Sequence, residues 1–171
     1  MIAMKLYTKI SLFLLILIFG GLTGCVKEQQ YPLEPIIEFG GFATAKDISG
    51  KDSVGQVTIS YTDGDGDIGL YNGDTVEPLK YNFYIKFMQF TNKKLVEVIP
   101  ADSTGTFNAR IPILTPNGRN KNIKGEITMT LQLYFARQFL LSDTIAFEIY
   151  IKDRALHNSN VIKTPMFLIK R

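Results

Sequence analysis

Apolar residues recur at every second position in four segments of the chain. These segments are residues 56–61, 81–88, 127–135 and 144–151. Successive side chains of an extended strand point to opposite faces, so a period of two places one apolar row on one side. The pattern therefore predicts four strands, each with one buried face and one wetter face.

Shorter apolar runs bounded by turn residues predict further strands. These runs are residues 36–42, 95–99, 110–114 and 161–169. Residues 131–141 are the only candidate for a helix, and they continue the preceding strand pattern before it breaks near Arg137. Many short strands joined by polar turns favour two packed antiparallel sheets. The expected fold is all-β, an immunoglobulin-like antiparallel β-sandwich of about seven strands.

The first 24 residues have the order of a secretory signal peptide. Lys5 and Lys9 precede an unbroken apolar run at residues 12–19, and small residues follow that run. A helix that spans a membrane needs about 20 apolar residues, so a cleaved signal is favoured over an uncleaved anchor. We therefore predict that residues 1–24 are removed from the mature protein.

The end of this segment, Leu22-Thr23-Gly24-Cys25, resembles the bacterial lipobox. The resemblance implies that diacylglycerol is attached to Cys25, that the chain is cleaved before it, and that its new amine is acylated. Cys25 is the only cysteine, so an exported protein has no partner for an internal disulfide. More than one lipid chain gives stable anchoring. The expected location is the cell envelope, at the outer membrane, with the membrane face left open.

The mature chain is expected to have a tether at residues 25–35 and one domain at residues 36–171. The tether is polar and contains Pro32 and Pro35, as linkers often do. Removal of 24 of the 171 residues leaves 147, enough for one hydrophobic core. The net charge of +3 falls to +1 without Lys5 and Lys9. The remaining basic residues are scattered, which argues against a nucleic-acid partner.

An acidic loop rich in glycine follows the strand at residues 56–61. It carries Asp63, Asp65 and Asp67 at alternate positions. Close carboxylates repel one another unless they are solvated or neutralised, and Ca²⁺ takes six to eight oxygen ligands of this kind. The spacing resembles the start of an EF-hand, but Ile68 stands where that loop needs glycine and strands flank it. A solvated turn is the alternative, because Asp and Gly are common turn residues.

A second polar loop, at residues 153–160, follows the strand at residues 144–151. In an immunoglobulin-like strand order both loops emerge at the same end of the sandwich, where the first strand also begins and brings Glu38 nearby. We therefore predict a structural Ca²⁺ site between the loops. Its predicted ligands are the carboxylates and amides of both loops: Asp63, Asp65, Asp67, Asp153, Asn158 and Asn160.

The two loops and the Tyr31-Pro32 dipeptide resemble those of small envelope lipoproteins of Bacteroidota with immunoglobulin-like bodies. The likeness spans most of the mature chain. It implies the same fold and the same lipid-anchored location. That family has no established activity, so the resemblance names no ligand.

Motifs for catalysis are scarce in this chain. His157 is the only histidine, and its neighbours in the sequence are loop residues. The chain has no Gly-x-Ser-x-Gly elbow, no phosphate-binding Gly-x-x-x-x-Gly-Lys and no Cys/His zinc cluster. We therefore expect no enzymatic activity. A carbohydrate-active enzyme that uses paired carboxylates is the less favoured alternative.

Two non-enzymatic functions stay open. A binding module would present a site for a glycan, a peptide or an envelope protein. The chain has no Trp, so ring stacking on a sugar would need tyrosines, namely Tyr71, Tyr84, Tyr134 and Tyr150. Tyrosines on strands, however, commonly serve sheet packing. A structural subunit of a larger outer-membrane complex would instead use an aromatic outward face as a protein interface.

Overall fold

The computed structural model describes residues 30–100, 106–114 and 122–171. The predicted signal peptide, Cys25 and the first part of the tether lie outside these residues, so those assignments stay predictions. Among the described residues, no helix is long and apolar enough to cross a membrane.

The described residues form two antiparallel sheets. The strands and the one short helix are, in chain order, β1 (Ile36–Lys46), β2 (Asp52–Asp63), β3 (Phe83–Thr91), β4 (Lys94–Glu97), β5 (Ile123–Leu131), α1 (Leu133–Ala136), β6 (Thr144–Ile151), β7 (Ile162–Lys163) and β8 (Phe167–Leu168). One sheet has the order β1-β2-β5, and the other has the order β4-β3-β6-β7, with β8 also pairing with β6. The predicted all-β sandwich is confirmed.

The core lies between the sheets and is built from the alternating apolar rows. Ile59 on β2 and Phe83 on β3 are fully buried, as the period of two predicts. Phe147 on β6 meets Phe87 edge to face at 5.1 Å between ring centroids. It also meets Phe42 of β1 at 5.3 Å, which joins the two sheets. Each such buried ring contributes about 1.5–3 kcal/mol.

The strand predicted at residues 127–135 ends earlier than the alternation suggests. β5 stops at Leu131, and one turn of helix, α1, follows. The turn brings Leu133 and Ala136 into the core. A Cβ added to Gly55 would lie 3.2 Å from the Leu133 side chain, so the glycine leaves space for it. Core packing therefore overrides the local strand pattern here.

Two other predicted strands are interrupted at prolines. Residues 110–114 form no strand, and Pro112 makes only an isolated bridge with Leu70. The predicted strand at residues 161–169 is divided into β7 and β8, with Pro165 between them. Proline has no N–H to donate to a neighbouring strand. The apolar pattern does not register this loss, so it predicts longer strands than the fold contains.

A buried carboxylate, that of Asp52, ties β2 to the last residues of the chain. Its Oδ2 accepts the N–H of Lys170 at 2.7 Å, and its Oδ1 accepts the hydroxyl of Thr44 at 2.8 Å. The Asp52 N–H in turn donates to the carbonyl of Lys170 at 2.8 Å. The Lys170 hydrogen bond is the largest cause that lowers the pKa of Asp52.

Replacement of Asp52 by Asn should destabilise the fold by about 1–3 kcal/mol at pH 7, because an amide places a donor where a carboxylate accepted. Since the pKa of Asp52 is lowered in the folded state, its contribution is present above the ordinary value of 3.8 and is lost as the pH falls below it. Urea unfolding at pH 7 and pH 3 measures this. Glu126→Gln, at an exposed position of β5, is the control, and equal stability of D52N and wild type at pH 7 contradicts the prediction.

Candidate functional site

Three carboxylates converge at the end of β2, as the sequence led us to expect. Asp63, Asp65 and Asp67 each offer one carboxylate oxygen, and these oxygens lie within 4.8 Å of one another. The loop curls because Gly66 and Gly69 adopt positive φ angles of 71° and 109°, which glycine adopts without steric cost. The local sequence therefore builds a concentrated negative charge.

Each of these carboxylates keeps one buried oxygen that has no hydrogen-bond partner among the described residues, namely Oδ1 of Asp63, Asp65 and Asp67. The Asp63 side chain is fully buried. Its second oxygen accepts the N–H groups of Asp67 at 2.9 Å and Ile68 at 3.2 Å, which fixes the carboxylate in place. A buried charged group without a partner costs several kcal/mol unless a counter-charge compensates it. The cluster is therefore a candidate cation site.

The raised pKa values of Asp63 and Asp67 also indicate that the negative charges of the loop are poorly compensated. Burial is the main cause that raises the pKa of Asp63 to about 6, and the adjacent Asp65 carboxyl raises it further. Burial likewise raises the pKa of Asp67, followed by the charge of Asp153. A proton relieves this repulsion in acid, and a bound cation would relieve it at neutral pH.

The second polar loop meets the acidic loop at the same end of the sandwich. The Ala155 N–H donates to Oδ2 of Asp67 at 3.0 Å, and Nη1 of Arg154 donates to the carbonyl of Gly69 at 2.9 Å. The predicted approach of the two loops is therefore observed. Arg154 places its guanidinium against the backbone of the acidic loop, which sequence reasoning did not foresee.

Asp153 lies close enough to affect the cluster electrostatically, but its hydrogen bonds go to its own loop. It is buried and accepts the N–H of His157 at 2.7 Å and a hydrogen bond with His157 Nδ1 at 2.9 Å. This contact raises the pKa of His157. Asp153 thus closes the turn of the second loop while it adds negative charge beside Asp67.

The two predicted amide ligands have other contacts. Asn160 uses its side-chain amide as a strand partner for β1: Oδ1 accepts the N–H of Ile37 at 2.8 Å, and Nδ2 donates to the Ile37 carbonyl at 2.9 Å. Asn158 is exposed and bridges to Lys152 through its backbone. Glu38 is exposed on β1 and pairs with Ser60. The side chains that could bind a cation together are therefore the three carboxylates of the acidic loop.

Arg110 organises the chain that follows the acidic loop. Its guanidinium donates to the carbonyls of Tyr71 at 2.9 Å, Leu79 at 3.0 Å and Lys80 at 2.8 Å, and also to that of Asp74. The Arg110 guanidinium thus holds four carbonyl groups of one loop together. A single arginine in a predicted strand carries no sequence signal for this role.

The candidate sugar-stacking tyrosines do not form one platform. Tyr84 and Tyr150 stack on each other at 4.6 Å with parallel rings, and Lys152 Nζ lies 5.2 Å from the Tyr84 ring centroid. Both tyrosines line a cavity of about 300 Å³. Tyr134 instead lies on α1, which contacts β2 of the other sheet. The Tyr84–Tyr150 pair therefore packs across two strands of its own sheet.

Comparison of the chain with protein-family models, with curated proteins and with solved structures found no match in any of the three. The functional argument therefore depends on the residues of this chain and on their geometry.

The calcium-free protein should lose stability as the pH rises from about 4 to about 6. The folded pKa of Asp63, about 6, lies above its ordinary value of 3.8, so the folded state binds more protons than the unfolded state across this interval. The raised pKa of His157 adds a loss of the same sign at higher pH. We expect a higher melting temperature at pH 5 than at pH 7.5 after dialysis against chelator. Asp63→Asn should weaken this dependence, and a melting temperature that increases toward pH 7.5 contradicts it.

Proposed function

We propose that the protein is a lipid-anchored, non-enzymatic module of the cell envelope whose loop end is stabilised by a bound calcium ion. The single observation that supports it most is the acidic loop, where three converging carboxylates each keep a buried oxygen without a hydrogen-bond partner among the described residues. An ion would convert a mutually repelling cluster into a cross-link. We assign this ion a structural role, because it would act as that cross-link.

The donor set favours calcium over other common cations. Asp63, Asp65 and Asp67 supply only oxygen ligands, which hard cations prefer. Zinc prefers nitrogen and sulfur ligands, and the one histidine nearby, His157, is hydrogen-bonded to Asp153. Magnesium demands a small octahedral shell and keeps several waters, whereas calcium accepts a larger and less regular oxygen shell. A curled loop with carboxylates at alternate positions fits the larger oxygen shell of calcium better than the small shell of magnesium.

The strand order supports an immunoglobulin-like type of sandwich. In the constant type of that fold the first, second, fourth and fifth strands share one sheet, and the third strand shares the other with the last two. β1, β2 and β5 here form one sheet, and β3, β6 and β7 lie in the other, whereas β4 differs from that type because it pairs with β3. The proposed outer-membrane location depends on the lipobox-like sequence Leu22–Cys25.

An envelope protein is the partner that the exposed surface favours. The segment around β7 and β8 exposes Val161, Met166 and Leu168, the last to 81 %. Exposed apolar side chains on one segment are a candidate protein interface where they form a contiguous patch. A glycan partner would need aromatic faces that share one surface. Tyr84 and Tyr150 cover each other, and the exposed Tyr71 and Tyr134 lie on two other elements, a loop and α1. We therefore place a structural or accessory subunit of a larger envelope complex before a glycan-binding module.

Calcium should raise the melting temperature of the mature protein, and Asp65→Asn should abolish most of that increase. The substitution removes one charge from the cluster and replaces a carboxylate ligand with a neutral amide oxygen, which binds a cation more weakly. The calcium-free variant should therefore melt at a higher temperature than calcium-free wild type, because less repulsion remains. At 100 times the dissociation constant, calcium adds about 2.7 kcal/mol of stability to a protein that binds it only when folded.

Thermal unfolding with excess calcium and with chelator measures both effects. Glu126→Gln removes an exposed charge from β5 and should respond to calcium as wild type does. The calcium assignment is wrong if wild type melts at the same temperature with calcium and with chelator, and if calorimetry detects no binding.

Replacement of Cys25 by Ala should abolish incorporation of radioactive palmitate, since the thiol of Cys25 is the proposed site of lipid attachment. Gel autoradiography after metabolic labelling reports the result. Persistent labelling of C25A overturns the proposed anchor and leaves the calcium site unaffected.

A further inference from the structure

The chain that leads into the sandwich is held against the acidic loop. The Gly64 N–H donates to the carbonyl of Pro32 at 2.7 Å. On the other side, the Tyr31 N–H donates to Oδ1 of Asn122 at 2.8 Å. Residues 31 and 32 therefore lie between the acidic loop and the start of β5, before β1 begins at Ile36.

Gly64 is required for this contact because of space. A Cβ at position 64 would lie 2.4 Å from the Tyr31 carbonyl oxygen and 2.6 Å from that of Pro32. Both atoms belong to the backbone, so a side-chain rotation cannot relieve the clash. A larger residue would have to displace the N-terminal segment or the acidic loop.

The position of Gly64 connects the segment to the candidate cation site. Gly64 stands between Asp63 and Asp65, so the N–H that holds Pro32 lies in the same stretch of backbone as two of the three carboxylates that the curled form of the loop brings together. Repulsion among the three carboxylates opposes that form, and a cation would remove the repulsion. Cation binding and docking of the segment therefore need the same loop conformation.

We propose that cation binding at the acidic loop fastens the N-terminal segment, residues 30–35, to the sandwich and so limits the distance between lipid and body. The proposal rests on the proposed function, from which it takes the cation and the lipid on Cys25. By linkage, the docked segment must strengthen cation binding by the same factor by which the cation favours docking.

The consequence is a change in reach. Tyr31 is six positions after Cys25, and Pro35 is ten positions after it. A fully extended chain spans at most about 3.3–3.6 Å per residue, which gives roughly 20 Å to Tyr31 and roughly 35 Å to Pro35. With the segment docked, the acidic-loop end is confined to within about 20 Å of the lipid attachment. Release of the segment would allow the body to move farther from the membrane.

The test combines amide hydrogen exchange with calorimetry on the mature protein purified in detergent. Exchange is followed at Tyr31 and Gly64, with calcium and with chelator, and calcium affinity is measured on the same samples. The variants are Gly64→Ala and Asn122→Ala, which disturb the docked segment from opposite sides. Gly73→Ala is the matched control, because a Cβ at position 73 meets nothing within 4 Å.

In wild type and Gly73→Ala, calcium should slow exchange at Tyr31 and Gly64 at least tenfold. Gly64→Ala should exchange rapidly at Tyr31 and bind calcium about tenfold more weakly, within the range usual for coupled sites. Asn122→Ala should change both quantities in the same direction while leaving the acidic loop intact, and it decides the matter if Gly64→Ala does not fold.

Two results overturn the coupling and leave the proposed function standing. One is calcium binding to wild type with no change in exchange at Tyr31 and Gly64. The other is full calcium affinity in a variant whose segment exchanges rapidly. Absence of calcium binding to wild type overturns both the coupling and the calcium site.

Discussion

Mutual repulsion among three carboxylates is the constraint on which the loop end of this sandwich depends. One carboxylate oxygen each of Asp63, Asp65 and Asp67 lies within 4.8 Å of the others, in a loop that curls at two glycines. The burial of Asp63 prevents water from screening that repulsion. The Ile68 N–H holds one carboxylate oxygen of Asp63 in place, and the Ala155 N–H holds one of Asp67. The other oxygen of each carboxylate is left to face a counter-charge.

The neighbouring elements are fastened to this loop in turn. The β6–β7 connection reaches it through Arg154, and the chain before β1 reaches it through Gly64. Asn160 of the same connection also bonds both backbone groups of Ile37 and so holds β1. A cation at the cluster would thus stabilise three chain segments at once.

The alternation of apolar residues was sufficient to predict the sandwich, because a buried row at every second position has few other uses. It misplaced the ends of strands where tertiary packing or a missing donor decides the outcome, as at Leu133 and Pro165. The convergence of the aspartates was also predictable from their spacing with glycine. Alternating carboxylates separated by a residue without a side chain have room to approach one another.

Individual polar roles in the second loop were beyond the sequence. The sequence around an asparagine does not show whether its side chain binds a cation or, as with Asn160, hydrogen-bonds to the backbone of a strand. The partner of Asp153 was equally hidden, since His157 reads as a surface histidine until the turn closes between them. The contact of Gly64 with Pro32 joins positions that no periodic pattern relates. These roles depend on which backbone groups the fold leaves without a partner.

A crystal structure of the mature protein grown with calcium, phased to give an anomalous difference map, tests the central claim most directly. The account predicts one peak within about 2.3–2.6 Å of carboxylate oxygens from Asp63, Asp65 and Asp67. The N-terminal segment should remain on Gly64 in that structure. A map with no peak at the acidic loop, from crystals in saturating calcium, would contradict the account.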